Sequence, residues 1–466
     1  MKILVCIRQG TDGEINPFDA CAYEAALRIK GAQVTLVSMG PQSCKDLLLQ
    51  LTRLGAKKAI LLSDKAFAGA DTLATAYTLS LAVKREKPDL IFCGNKTLVG
   101  DTAQTGPMLS EICGASLITN VMSIDLADEN AITCTTRSLG VQTAQFPALL
   151  TIERICDLRL PSIMSRQGEV EILSAQDLSA DTSKTGLAGS PTRVLKTFEN
   201  ETGKRKCKFI DAKELKNAIN EGIKKSGEKL TALPVTDKKI SKVYIVGQSP
   251  RDFANSISDD IGVIELTNAD DITQKIKELC PNVVLWGSDA LSKKLAAQVA
   301  AKLELGLCAD CTHLETDGQK LFMYRPALLG SVIAKIESLT LPAMATVRTV
   351  QEASPIVVAA GFGAKDQLDD VEKFAKTLGA DVAATRKAVD HDLLPYSLQV
   401  GLTGKTVCPD VYIALGVSGA VHHVAGMQRS GTVIAVNCDK DAPIFDYADY
   451  GIVGDIKEVL AAFFDI

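Results

Sequence analysis

The chain has 466 residues, more than one hydrophobic core usually serves, so two to four domains are expected. Its composition, 46% hydrophobic and 23% charged, is that of an ordinary soluble globular protein, and a formal charge of -5 argues against nucleic acid as the main partner. No arginine-rich or apolar leader precedes the first strand, and no apolar run is long enough to span a bilayer. A cytoplasmic protein is expected, at most peripheral to a membrane through a partner.

From the N-terminus the pattern reads strand (3–7), helix (19–30), strand (33–38), helix (44–54), strand (59–62), helix (71–84) and strand (90–93). Short apolar strands alternating with helices predict a mostly parallel sheet covered on both faces. Three turns after strands carry small or polar residues: Ser38-Met39-Gly40-Pro41; Ser63-Asp64 with Gly69 to Thr72; and Gly100-Asp101-Thr102-Ala103-Gln104-Thr105-Gly106. In the last, Asp101 or Thr102 is expected to cap a helix whose first N–H groups face an anion.

The 13 cysteines fall inside strand-like runs and suit small buried hydrophobes in a reducing compartment. Cys308 and Cys311 form a C-x-x-C pair without a second pair at ligand spacing, which favours a structural role over redox or zinc use. His422 and His423 are adjacent, about 100° apart on a helix, and unsuited to sharing a metal. Residues 179–195 turn to Ser, Thr, Gly and Asp, and 179–240 reads as a linker with a helical pattern over 212–225.

An internal repeat follows. Residues 88–94 (PDLIFCG) are echoed by 281–287 (PNVVLWG), 114–119 by 306–312, and 147–154 by 342–348. Two copies of one βα unit predict paired homologous domains. A further sheet opens at Ile356, with a helix over 366–378 and strands at 381–384, 411–415 and 432–437. Its most informative turn is Gly416-Val417-Ser418-Gly419-Ala420, small residues after an apolar strand with Ser418 as the expected N-cap. A phosphate is the natural occupant, so a nucleotide or dinucleotide site is expected there.

Gln399-Val400-Gly401, Thr403-Gly404-Lys405, the run GVSGAVHHVAGM at 416–427, and Asn437 followed by Ala442 to Phe445 and Ala448 to Val453 together resemble the FAD domain of the electron transfer flavoprotein alpha subunit. Residues 1–178 resemble the beta subunit of the same family, on the strength of the 100–106 loop. The resemblance therefore implies a beta–alpha fusion, one chain in place of the usual heterodimer. It divides as a beta-like domain at 1–178, the 179–240 segment, an alpha-like domain at 241–350 and the FAD domain at 351–466. The implied fold is α/β, two homologous adenine-nucleotide-hydrolase-like doubly wound domains plus a Rossmann-like FAD domain.

The chemistry implied by the resemblance is that of a redox carrier. Arg386, Thr403 and His423 would tune the flavin, with Thr385 toward phosphate, the Arg386 guanidinium near the ring as a cation that stabilises its anionic reduced form, and a donor or positive charge at His423 favouring the anion as well. Gln399, Val400, Gly401, Leu402, Val421 and His422 would also bind the cofactor, Ser418, Gly419 and Ala420 would cradle its pyrophosphate, and Asn437 and Asp449 would hold the adenosine end. In the N-terminal half, Ile7, Ser38, Met39, Asp101, Thr102, Ala103, Gln104 and Thr105 would hold AMP or a second FAD. Leu160 matches a leucine that docks on dehydrogenases, unless it packs within its own chain. The implied partners are an acyl-CoA dehydrogenase-type flavoenzyme and a quinone- or ferredoxin-linked acceptor.

Three departures stand out. Phe362 replaces an expected arginine between Gly361 and Gly363, and Leu402 and His422 replace glutamines. The alternatives to a plain carrier are an electron-bifurcating, NADH-using oxidoreductase with two FADs and a nucleotide-binding scaffold without redox function.

Overall fold

The computed structural model describes residues 1–10, 12–127, 130–199, 204–225, 236–328, 332–351 and 353–464. The chain divides into two compact units, one from Met1–Phe198, Val235–Leu328 and Ile333–Val347, the other from Glu199–Pro234, Leu329–Val332 and Arg348–Ile466.

In the first unit, the strands Lys2–Cys6, Gln33–Met39, Lys58–Leu62, Leu90–Gly94 and Ala148–Ile152 are apolar on both faces, and they pair in parallel because helices cover both sides. They sit in a nine-stranded sheet whose central order is Ser116–Ala127, Ala148–Ile152, Leu90–Gly94, Lys2–Cys6, Gln33–Met39. A five-stranded sheet repeats this order: Leu307–Cys311, Ala343–Val347, Val283–Trp286, Val243–Val246, Ile261–Ile264. The repeat in 88–154 and 281–348 is thus carried by equivalent strands. Both copies share one apolar core, from Leu4, Met108 and Leu109 to Trp286, Leu295 and Ala300. Lys302 joins them at the surface through Glu111, 2.8 Å away.

Of the segment 179–240 expected as linker, residues 200–203 and 226–235 lie outside the described residues, and much of the rest forms regular elements. Thr192–Glu199 is a strand of a four-stranded sheet with Val332–Ser338, Leu321–Ala327 and His313–Thr316. Its side chains are almost all exposed, so no alternation of apolar residues marks it in the sequence. Further on, Lys208–Phe209 and the helix Leu215–Lys224 belong to the second unit. That helix buries Leu215, Ala218, Ile219 and Gly222, the i, i+3, i+4, i+7 stripe expected of an amphipathic helix.

The second unit is built on a six-stranded parallel sheet in the order Lys208–Phe209, Tyr450–Val453, Thr432–Asn437, Val411–Leu415, Ile356–Ala360, Asp381–Ala384. From Ile356–Ala360 the chain steps to one side and then returns on the other, so the order reverses between Ile356–Ala360 and Val411–Leu415. Ligands of such sheets bind at the carboxyl ends of the strands flanking that reversal.

Arg205 fastens the added edge at the opposite, amino end. Its guanidinium pairs with Asp449 and donates to the carbonyls of Ser430 (2.6 Å) and Gly431 (2.8 Å). Replacing Arg205 with alanine strands a partly enclosed carboxylate and two carbonyls, and should lower the stability of this unit by about 1–3 kcal/mol. The loss would register as a lower urea midpoint, and Arg205→Lys, which keeps the charge without the fork, should recover only part of it.

Candidate functional site

At the reversal, the loops after Ile356–Ala360 and Val411–Leu415 are pressed together. A Cβ on Gly361 would lie 2.0 Å from the carbonyl oxygen of Gly416, and the N–H of Gly363 donates to that same oxygen at 3.1 Å. Gly419, at φ +87, runs against the backbone of the next loop, where a Cβ would meet the nitrogen of Ile444 at 2.1 Å. Only glycine fits either place, and the result is a backbone cradle at the carboxyl edge. Ser418 and Ala420 stand exposed on it. Asn437 holds it from below, donating to the carbonyl of Val417 at 2.9 Å.

The helix after this turn is Val421–Met427, and its N-cap is Ala420, without a side-chain bond. Ser418, expected as the cap, instead offers its carbonyl to the N–H of Ile444 at 3.2 Å. A phosphate at this turn would meet backbone N–H groups and an exposed hydroxyl, not a capped helix end.

His423, from this helix, is buried, with Nδ1 3.1 Å from the carbonyl of Val400 and Nε2 3.0 Å from the hydroxyl of Tyr412. Nδ1 therefore carries the proton and Nε2 accepts. Burial pushes its pKa down to about 4, so His423 is neutral at pH 7, and of the donor or positive charge expected there the charge is absent. What His423 does is fix Val400, whose neighbours form a tight loop: Leu402 donates its N–H to the carbonyl of His422 at 2.6 Å. Gln399 donates through Nε2 to the Thr403 hydroxyl at 2.7 Å, while its Oε1 is buried without a partner. That unsatisfied acceptor and the glycine cradle fit a flavin dinucleotide, which brings a ring N–H donor and a diphosphate.

Thr385 and Arg386 open the short helix Arg386–Asp390, where the Thr385 hydroxyl caps Ala388 and Arg386 pairs with Asp390 at 3.1 Å. Phe362 lies at the same edge. Asp449 does not join them. It precedes Tyr450–Val453, accepts the N–H of Val433 at 2.8 Å and pairs with Arg205, all at the amino end of the sheet. Asp455 does lie at the carboxyl end, accepting the N–H of Lys457 at 2.8 Å, next to Gly454, whose N–H donates to the carbonyl of Asn437 at 3.1 Å. The strand that ends at Val453 was the available signal, because residues after a parallel strand face the ligand and residues before it do not.

In the first unit the equivalent reversal lies between Lys2–Cys6 and Leu90–Gly94. Asp19 bridges it, accepting the N–H groups of Arg8 and Gly94, both at 2.9 Å, and burial raises its carboxyl to about 7 against that pull. Ile7 and Ser38 are buried at neighbouring strand ends, and Met39 is half-buried. The 100–105 loop differs from expectation. Its helix starts at Thr105, neither Asp101 nor Thr102 caps it, and Gln104 occupies the N-cap position without its side chain bonding the helix's N–H groups. Asp101 and Ala103 adopt positive φ (51° and 54°), Asp101 pairs with Lys96 at 2.5 Å, and Arg325 holds the carbonyls of Gly100 (2.8 Å) and Asp101 (3.2 Å). Gln104 accepts from Thr72 at 3.1 Å, leaving its buried Nε2 donor unmatched. Beyond this site, Leu160, Ile163 and Met164 project from one loop, 89%, 97% and 88% exposed. The loop is anchored by Arg159, whose Nε and Nη2 grip Glu24 at 2.9 and 3.0 Å.

Among the described residues, no helix is long and apolar enough to cross a membrane, and no group of three or more His, Cys, Asp or Glu gathers as a metal site. Residues 3–178 and 263–378 match the electron transfer flavoprotein domain, and residues 350–428 match the electron transfer flavoprotein FAD-binding domain. The chain is 36% identical to the electron transfer flavoprotein subunit alpha of Thermoanaerobacterium thermosaccharolyticum over 236 residues, 41% of this chain and 72% of that one. It is 38% identical to subunit beta of the same organism over 207 residues (42% and 80%), and 37% identical to Protein FixA of Azorhizobium caulinodans over 227 (45% and 81%). Beta-like relatives match the N-terminal half and alpha-like relatives the C-terminal half, as in a fusion. With the electron transfer flavoprotein domain matching more than half of the chain and the FAD-binding domain following it, the chain belongs to the electron transfer flavoprotein family.

Proposed function

We propose that this chain is an FAD-dependent electron carrier that draws electrons from an acyl-CoA dehydrogenase-type flavoenzyme and passes them to a quinone- or ferredoxin-linked acceptor. The observation that carries it is the glycine-lined cradle at the reversal of the second unit, flanked by the unsatisfied Gln399 Oε1. FAD, when bound, supplies the electron storage. Around it, Ser418, Gly419 and Ala420 take the diphosphate, Thr403 and Gln399 orient the ring, Arg386 places a cation near it, and Asn437 and Asp455 hold the adenosine end. His423 acts as a neutral support for Val400 and not as a charge. We further assign residues 1–178, 241–350 and 351–466 as the beta-like, alpha-like and FAD domains, with 204–225 belonging to the last.

The N-terminal half is proposed to bind a second nucleotide, supported by the buried, unmatched Nε2 of Gln104 beside Asp101 to Thr105. AMP there suits a single-flavin shuttle, and a second FAD suits electron bifurcation from NADH. Nucleotide content of the gently purified, denatured protein, normalised to chains, separates them. One FAD with one AMP supports the shuttle, two FADs support bifurcation, and a colourless protein that takes up no flavin defeats both.

Leu160 is proposed as the apolar anchor for the donor. Leu160→Ala should slow reduction of the bound flavin by a cognate dehydrogenase about 10- to 100-fold at limiting concentration, while leaving the unfolding midpoint unchanged because so exposed a side chain has little packing to lose.

A further inference from the structure

Phe362 is the centre of a basic cluster at the carboxyl edge of the second unit. The Nζ of Lys387 sits 4.3 Å from its ring centroid and that of Lys365 5.6 Å, while the His391 ring lies 4.7 Å away. His391 is itself tied down, its Nδ1 2.9 Å from the carbonyl of Lys387. Phe362 directly follows Gly361, whose backbone touches Gly416 at the reversal, and Lys387 follows the neighbouring strand Asp381–Ala384 by three residues. The two ammonium groups are therefore gathered beside the crevice where a dinucleotide's phosphates lie in such sheets. Arg386, the other cation of this edge, is engaged with Asp390 at 3.1 Å. An aromatic face holds a lysine head in place without neutralising it, so the charge stays available to an anion.

We infer that Lys387, seated on Phe362 with Lys365 beside it, is the cation that meets the diphosphate of the bound dinucleotide. This deepens the FAD carrier proposed above and rests on it. Lys387 supplies the charge, and Phe362 positions it.

The test uses the full chain stripped of nucleotide and titrated with FAD, followed by flavin fluorescence, and with riboflavin, which lacks phosphate. Lys387→Ala should weaken FAD binding about 10- to 100-fold, the loss of one charge-assisted contact, and flatten its salt dependence, while riboflavin binding changes less than about two-fold. Phe362→Ala, which leaves the lysine present but loose, should weaken FAD by about 3- to 10-fold. The double variant Lys387→Ala, Phe362→Arg, which puts a guanidinium on the platform's own position, should bring FAD affinity back to within about three-fold of the parent. Any nucleotide site elsewhere in the chain is common to all these proteins and cancels. Lys387 is exposed, so the variants should fold, and a common melting temperature checks it. FAD affinity unchanged in Lys387→Ala, or FAD and riboflavin weakened alike, would overturn the assignment while leaving the carrier function standing. A parent chain that binds no FAD would sink the carrier function itself.

Discussion

Alanine at position 419 is expected to abolish FAD uptake and to destabilise the second unit by about 2–5 kcal/mol, from a positive-φ backbone a side chain resists and a methyl group forced into a packed contact. The geometry leaves no escape: φ is +87 and the added Cβ would lie 2.1 Å from the nitrogen and 2.5 Å from the Cα of Ile444, both backbone atoms. The loop would have to move away from residues 443–444, breaking the bond from the Ile444 N–H to the Ser418 carbonyl and opening the cradle. Urea unfolding and FAD titration of the same preparation measure both effects. Ser418→Ala, one residue away with an exposed side chain, is the control and should leave the midpoint in place. An unshifted midpoint in Gly419→Ala would mean that the cradle is not closely packed.

Acid should weaken the second unit through one buried histidine. The pKa of His423 is about 4 in the folded chain against 6.5 unperturbed, so protons bind the unfolded form more tightly. The stabilising effect of burying it neutral is complete above pH 6.5 and is lost as the pH falls toward 4. At about 1.4 kcal/mol for each tenfold difference in proton affinity, the loss is about 2 kcal/mol by pH 5 and about 3 kcal/mol by pH 4. Asp19 in the first unit runs the other way: burial raises its carboxyl from 3.8 to about 7, so that unit loses stability as the pH rises through this interval. Unfolding followed separately in the two units between pH 7.5 and 5 should show opposite trends. His423→Gln should lower the baseline, because Val400 and Tyr412 lose a partner, yet flatten the second unit's slope over that interval by about 2 kcal/mol. An unchanged slope in that variant would place the titration elsewhere.

Much of this architecture is legible in the order of residues. Strands such as Val411–Leu415 and Thr432–Asn437 are short apolar runs bounded by Gly, Asn or Asp, and a parallel strand buried on both faces needs nothing else. The repeat is visible because equivalent positions in its two copies meet equivalent packing demands. Motifs around Gly416 and Gly100 point to nucleotide sites because only small residues let backbone approach a phosphate. By contrast, the strand Thr192–Glu199 reads as linker because a strand with both faces near water carries no hydrophobic period.

Tertiary structure alone decided which polar groups face the cradle and in what state. Asp449 and Asp455 lie six residues apart and look alike in sequence, but a strand four residues long stands between them and sends one to each end of the sheet. His423 reads as a donor or a cation beside a flavin until its burial against Tyr412 and Val400 strips away the water that would support a charge. Phe362 reads as a lost charge until Lys387 and Lys365 are seen on its ring, because long side chains from separate loops meet only once the sheet has ordered those loops. Local pattern determined the strands, helices and glycine turns, since these depend on neighbours a few residues away; charge, partner and direction depend on distance and solvent, which the fold alone sets.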